Sequence, residues 1–263
     1  MAGIQFFRDA DLPFYELKIC DVGSLAYKKH SHEEYSLGVV DNGKSSFWCE
    51  GKTMEVNART VVLIPPGLVH SCNPEQQNRW KYKMLFVEAG WLQMFLASRG
   101  ITILNRPVVS DRADYPGLNG RLKQLTLPAS PLEREAGLLD FFEQALQGLQ
   151  GTRQGNSVKE LPKLQVIKDY LHHNYQKKIT LAELAQISGL NKFNIIRSFK
   201  DEFSIPPHTY QTLLRINLAK KLLRQDRPIV DVVCETGFYD QSHFSKVFKS
   251  HTGVSPEKYQ KLK

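Results

Sequence analysis

Three histidines and two outward sets of basic and amide side chains carry most of the chemistry open to this 263-residue chain. His30 and His32 are two residues apart, so on a strand they share one side, with Glu34 and Ser36 following on that side. His70 comes about 40 residues later, after the turn Pro65-Pro66-Gly67. Two or three imidazoles with a carboxylate can hold a divalent transition metal, for regulation or for catalysis. The same side chains can line a small-molecule pocket, or be satisfied by hydrogen bonds within the fold. Trp48, Trp80 and Tyr82 lie on neighbouring runs, so the expected pocket lining is His30, His32, Glu34, Trp48, His70, Trp80 and Tyr82, with simple core packing an equal alternative for each aromatic.

The second set is repeated. The segment ELAQISGLNKFNIIRSFKDEFSIPPHTY aligns with DVVCETGFYDQSHFSKVFKSHTGVSPEKY: Leu184, Ala185 and Gly189 fall on Val232, Val233 and Gly237 at an offset of 48. Phe199, Lys200, Pro207 and Tyr210 fall on Phe248, Lys249, Pro256 and Tyr259 at an offset of 49, so one residue is inserted in the turn after the glycine. Each unit reads as helix, glycine turn, helix, which is the organisation of a helix-turn-helix. Spacing assigns Phe199, Phe203, Phe244, Val247 and Phe248 to the core. It leaves Asn191, Lys192, Ile196, Arg197 and Lys200 facing out from one second helix, and Gln241, Ser242, Ser245, Lys246 and Lys249 from the other. Such a face can enter a major groove, where Arg pairs bidentately with guanine and Gln with adenine, while Lys neutralises phosphate.

The elements that must position these groups divide along the chain. From about residue 14 to 88, short alternating runs (YSLGVV, SSFWCEG, RTVVLI, WKYKMLFVE) are separated by turn signals, which predicts a small antiparallel barrel or sandwich. Helical spacing follows over 90–99 and about 115–149. Leu118, Leu122 and Leu125 share a face of one helix; Leu138, Leu139, Phe142, Leu146 and Leu149 share a face of the next. Those faces are expected to divide between docking on the barrel and contact with a second subunit. Gly148–Ser157 reads as a linker. Everything beyond it reads helical: Leu161, Leu164, Ile167 and Leu171 mark one amphipathic helix, Thr180 to Glu183 is a capping box, and a long helix runs from about His208 to Arg224.

Charge follows the same division. Residues 1–156 hold 17 Lys and Arg against 17 Asp and Glu, whereas residues 157–263 hold 18 against 10, so the whole excess of +8 lies in the second half. A neutral half joined to a basic half points to nucleic acid as the partner of the latter. No apolar run approaches the roughly 18 residues that cross a bilayer, and the N-terminus lacks the pattern of a secretory signal, so no membrane contact is expected and the cytoplasm is the expected location. Cys20, Cys49, Cys72 and Cys234 are scattered, which fits free, buried thiols.

On these residues the segment from about Leu161 to Lys263 resembles the DNA-binding domain of the AraC/XylS transcription regulators. The motif is most specific in PIVDVVCETGFYDQSHFSKVFKSHTGVSPEKY: Gly237-Phe238, Asp240-Gln241-Ser242, Phe244, Phe248-Lys249, Gly253 and Pro256 stand at the family's punctuating positions. Val233 replaces the usual Ala, Asn191 a commoner Ser, and Ile196 a frequent polar base reader. The resemblance implies a seven-helix domain whose connecting helix holds two recognition helices on one side of the DNA. It also implies an N-terminal effector and dimerisation domain. The histidine layout is similar to the cupin barrel, with two departures: Arg59 stands where a glycine is expected, and the metal-ligand Glu further along the strand is missing. The expected protein is therefore an α+β, two-domain transcription regulator, activating by default, and not an enzyme. Its domains are a cupin-like antiparallel β-barrel with a C-terminal helical pair (1–150), a linker (151–158) and an all-α double helix-turn-helix (159–263). Its expected partners are double-stranded DNA, a small-molecule effector, RNA polymerase and a second copy of itself. Neither cofactor nor metal is expected. The alternative is a metal-dependent cupin enzyme fused to a DNA-binding module.

Overall fold

A computed structural model describes residues 3–22, 27–75, 79–98, 106–111, 114–147 and 162–261. The expected linker, Leu149 and Leu161 lie outside the described residues. The chain divides into two compact units: one takes the residues up to 22 and those from His32 to 147, the other takes Tyr27–Ser31 and 162–261.

The first unit is antiparallel throughout its described strand pairs. Strands β1 (Gly3–Arg8), β2 (Tyr15–Val22), β3 (Tyr35–Asn42), β6 (Thr60–Ile64), β8 (Trp80–Val87) and β9 (Val108–Asp111) form a six-stranded sheet in the order β1-β2-β8-β3-β6-β9. Strands β4 (Lys44–Cys49), β5 (Lys52–Asn57) and β7 (His70–Pro74) form a three-stranded sheet in the order β5-β4-β7. The described strands thus pair as two sheets, a sandwich form of the expected barrel. Side-chain alternation decides what each face does. Leu17, Leu37, Leu63, Leu85 and Val87 turn to helices α1 (Ala89–Ser98), α2 (Tyr115–Gln124) and α3 (Pro131–Gln147) and form one apolar cluster with them. The alternate residues turn to the other sheet, as shown by His32, whose ring lies 4.9 Å from His70 of β7 and 5.3 Å from Phe86 of β8.

Of the apolar helix faces singled out above, Leu118, Leu122, Leu125, Leu138, Phe142 and Leu146 are all buried in this cluster, and Leu139 packs against it half-buried. They dock the helices on their own sheet, so they do not offer a face to a second subunit. A charged group is buried beneath α2 as well: Lys83 Nζ pairs with Asp41 and donates to Asn119 Oδ1 at 2.6 Å, and Tyr115 donates to Asp41. Burial pushes the Lys83 ammonium below its usual range and the Tyr115 phenol above its own. Removing water from Lys83 is tolerable only because Asp41 and Asn119 both reach it, with Tyr115 bonded to Asp41 in turn.

The second unit holds seven helices among the described residues: α4 (Pro162–Asn174), α5 (Leu181–Ser188), α6 (Lys192–Phe203), α7 (Pro207–Arg224), α8 (Ile229–Thr236), α9 (Gln241–Thr252) and α10 (Pro256–Lys261). The capping box is present at α5, where Thr180 accepts from Glu183 N and Glu183 accepts from Thr180 N. Asn191 and Asp240 cap α6 and α9 by accepting from Asn194 N at 2.8 Å and His243 N at 2.7 Å. Gly189 and Gly237 end α5 and α8 in the left-handed region, at φ 65° and 75°. The repeat extends into the packing. Phe199 meets Tyr210 edge-on at 5.6 Å, and Phe248 meets Tyr259 in the same way at 5.3 Å.

Candidate nucleic-acid interface and effector site

In each helix-turn-helix the second helix shows two faces because its aromatic residues recur at helical spacing. Phe199, Phe244 and Phe248 are fully buried and Val247 half-buried, which fastens α6 and α9 to their neighbours. On the open face of α6, Asn191, Lys192, Arg197 and Lys200 are exposed and Ile196 is 40% exposed. On α9, Gln241, Ser242, Lys246 and Lys249 are exposed, while Ser245 is half-buried. The two faces differ electrostatically. Arg197 Nε lies 3.9 Å from Asp201 one turn on, an exposed pair that contributes little and breaks readily. Between Gln241 and Thr252, α9 carries no carboxylate at all.

Three exposed residues escape the spacing argument. Asn194 and His243 sit in the first turn of their helices, three residues beyond the caps. Tyr239 is 97% exposed. The caps Asn191 and Asp240 are themselves 49 apart, and Phe238 is buried as the counterpart of Leu190, so Tyr239 is the residue inserted in the second unit. That insertion was the available signal. The helix between the units, α7, has 18 residues and is therefore about 27 Å long.

The candidate effector residues are brought together only in part. His32 and His70 are buried between the sheets with touching rings, but His32 and Glu34 precede β3 and lie on no strand. His30 belongs to the helical unit's cluster, where its Nδ1 donates to Lys28 O at 2.8 Å. A carbonyl can only accept, so His32 Nδ1 donates to Glu34 O at 2.8 Å, and its Nε2 shares a hydrogen bond of 3.2 Å with Ser36 Oγ. His70 Nδ1 donates to Leu68 O at 3.0 Å, and burial, with His32 beside it, pushes its pKa down to about 3. His70 is therefore a neutral imidazole at neutral pH. Tyr82 and Trp80 turn inward, their rings 5.7 Å apart. Trp48 does not: it pairs with Ser71 on the face of the small sheet opposite to Phe47, Cys49 and His70, because strand alternation places neighbours on opposite sides. Among the described residues no three His, Cys, Asp or Glu side chains gather as metal ligands would. Burial pushes the Cys49 and Cys72 thiols up to about 12, so neither is a nucleophile at neutral pH. Cys234, expected inside, is exposed on α8.

Residues 24–161 match the AraC-like ligand binding domain, and residues 184–262 match a helix-turn-helix domain. The probable transcriptional regulator LumQ of Photobacterium leiognathi is 36% identical over 252 residues, covering 90% of this chain and 92% of its own length. The lactose operon transcription activator of Staphylococcus xylosus is 23% identical over 259 residues, covering 95% of this chain and 92% of its own. Among solved structures, ToxT of Vibrio cholerae O395 superposes with a TM-score of 0.61 at 14% identity over 99% of this chain and 98% of its own, a likeness of fold.

Proposed function

Since the chain belongs to the AraC family of transcription regulators, a ligand-binding domain followed by a DNA-binding one, we propose that α6 and α9 read two major-groove segments on one side of an operator. In this reading Arg197 and Gln241 contact base edges, with Asn191, Lys192, Ile196, Ser242, Ser245 and Lys246 around them, and Lys200 and Lys249 bind phosphate. Ile196 is suited to a thymine methyl. The observation that carries the reading is the repeat itself: two second helices with exposed polar faces, each fastened by the same Phe–Tyr contact and joined by one 18-residue helix. At about 27 Å that helix suits groove segments about one 34 Å turn apart.

We assign effector control to residues 1–150, DNA binding to 159–263 and their connection to 151–158. His32, His70, Trp80 and Tyr82, between the sheets, line the effector site; His30, Glu34 and Trp48 take a secondary place. The effector binds one arrangement of the protein better than another and so shifts DNA occupancy or contact with RNA polymerase. Activation is the default, the protein is a cytoplasmic homodimer, and it performs no catalysis. Because the docking leucines of α2 and α3 are already buried, the dimer must use other residues, such as the exposed Leu127 and Leu132. Selection of random duplex DNA by the full-length protein at near-physiological salt tests the reading. Two enriched blocks one helical turn apart support it, and retention of DNA without any motif contradicts it.

A further inference from the structure

We propose that Tyr239 is a backbone contact of the second helix-turn-helix, its phenol donating to a DNA phosphate at the edge of the groove segment that α9 enters. The inference rests on the two-helix reading of DNA proposed above and adds a contact that the first helix-turn-helix has no residue to make.

The residue before a helix cap often folds back on the fourth residue of the helix and fixes the angle at which the chain enters. In the first helix-turn-helix that place belongs to Leu190, half-buried before the cap Asn191. In the second, the inserted Tyr239 takes it, one position before the cap Asp240. The side chain it would pack on is Phe244, which is fully buried and already met edge-on by the Phe238 ring at 5.2 Å. Phe238 is itself held by the His243 ring at 5.7 Å and by the Arg215 guanidinium at 5.8 Å. The insertion therefore leaves the core contact to Phe238 and turns Tyr239 out, 97% exposed, its phenol making no hydrogen bond among the described residues.

A lone exposed aromatic needs no explanation, but the position of this one carries an argument. In a helix-turn-helix the first helix crosses the DNA backbone and the second places its first turn at base edges, so the turn between them borders the phosphates. Tyr239 lies in that turn, two residues before Gln241, where the exposed first turn of α9 begins. From Gln241 to Thr252 no carboxylate opposes a phosphate. The Asp240 carboxylate is engaged by His243 N at 2.7 Å. Beside that acid a neutral O–H is a suitable donor to a phosphate oxygen, and tyrosine is among the side chains that make such contacts. With nothing equivalent before α6, the operator should be held asymmetrically.

The test uses the full-length protein in anisotropy titrations against a duplex carrying the sequence it selects and against a scrambled duplex. Tyr239→Phe, which removes only the O–H, should weaken both about fivefold or more. The slope of log K against log salt should not change, because a neutral donor releases no counterion, and the thermal midpoint of so exposed a variant should match wild type. Ethylation of the contacted phosphate, beside the block that α9 reads, should weaken wild type more than Tyr239→Phe. Wild-type affinity of Tyr239→Phe, an altered base preference in place of a uniform loss, or equal ethylation effects in both proteins overturns the proposal. Gln241→Ala separates that failure from failure of the underlying reading. If Gln241→Ala relaxes its block while Tyr239→Phe is neutral, the Tyr239 contact alone falls; if neither variant changes binding, the groove reading of α9 falls with it.

Discussion

The carbonyl oxygen of Gln176 lies 2.0 Å from where a β-carbon on Gly237 would stand. The turn of the second helix-turn-helix is therefore seated against the end of α4, at a distance only glycine permits. Arg215 of α7 joins the same place: its Nε donates to Tyr175 O at 2.7 Å, its Nη2 to Lys177 O at 3.0 Å, and its guanidinium stands 5.8 Å from the Phe238 ring. Gln211 donates to the same two carbonyls. This polar joint, wholly within the helical unit, links the chain that follows α4 to the turn between α8 and α9 and so fixes α9 relative to α7.

Gly237→Ala should destabilise the helical unit by about 3 kcal/mol or more, since it adds a backbone clash to left-handed strain. Gly189→Ala, equally left-handed at φ 65° but with nothing within 4 Å of its β-carbon, should cost only about 1 to 2 kcal/mol. Denaturant melts of the two variants compare them directly, and equal losses would mean the Gln176 contact is unimportant.

Arg215→Ala should cost about 2 to 4 kcal/mol, because charge-assisted bonds to two carbonyls are lost together. Combined with Gln211→Ala it should be non-additive by more than about 0.5 kcal/mol, as both side chains serve the same acceptors. Additive losses in a double-mutant cycle would separate the two contacts.

His70 gives the sheet unit a pH dependence of known sign. Its pKa is about 3 when folded against an ordinary 6.5, so the unfolded chain binds the extra proton between those values. Stability from this residue is present above about pH 6.5 and falls by up to about 1.4 kcal/mol per pH unit as pH drops toward 3. Melting curves from pH 7 to 4 should be steeper for wild type than for His70→Gln; parallel curves would refute the assignment.

Lys200→Ala and Lys249→Ala should weaken binding to all duplexes alike and reduce the slope of log K against log salt by about 0.9 each. A change in sequence preference in either variant would show that it reads bases.

The double helix-turn-helix was legible because its signals are local. Caps at Thr180 and Asn191, left-handed glycines and phenylalanines at helical spacing each act within a few residues, and the repeat states them twice. The strand arithmetic was less secure. Trp48 stands on the opposite face of β4 from Phe47 and Cys49, and the strand expected to carry His30 and His32 begins only at Tyr35. Arg59, out of place for a cupin turn, still adopts the glycine-like conformation at φ 76°, held by Arg59 N donating to Val40 O at 2.9 Å. The fold imposes that turn whatever residue occupies it. Lys83 was invisible as an interior group, because burial of a charge depends on partners from distant strands and helices.

The most direct measurement is to repeat the DNA selection with Arg197→Ala and Gln241→Ala in the full-length protein. If α6 and α9 each read one groove segment, each variant should lose about 1 to 3 kcal/mol and relax the preference within one block, and the two blocks should differ. Relaxation of the same block by both variants, or of neither, would contradict a two-helix readout.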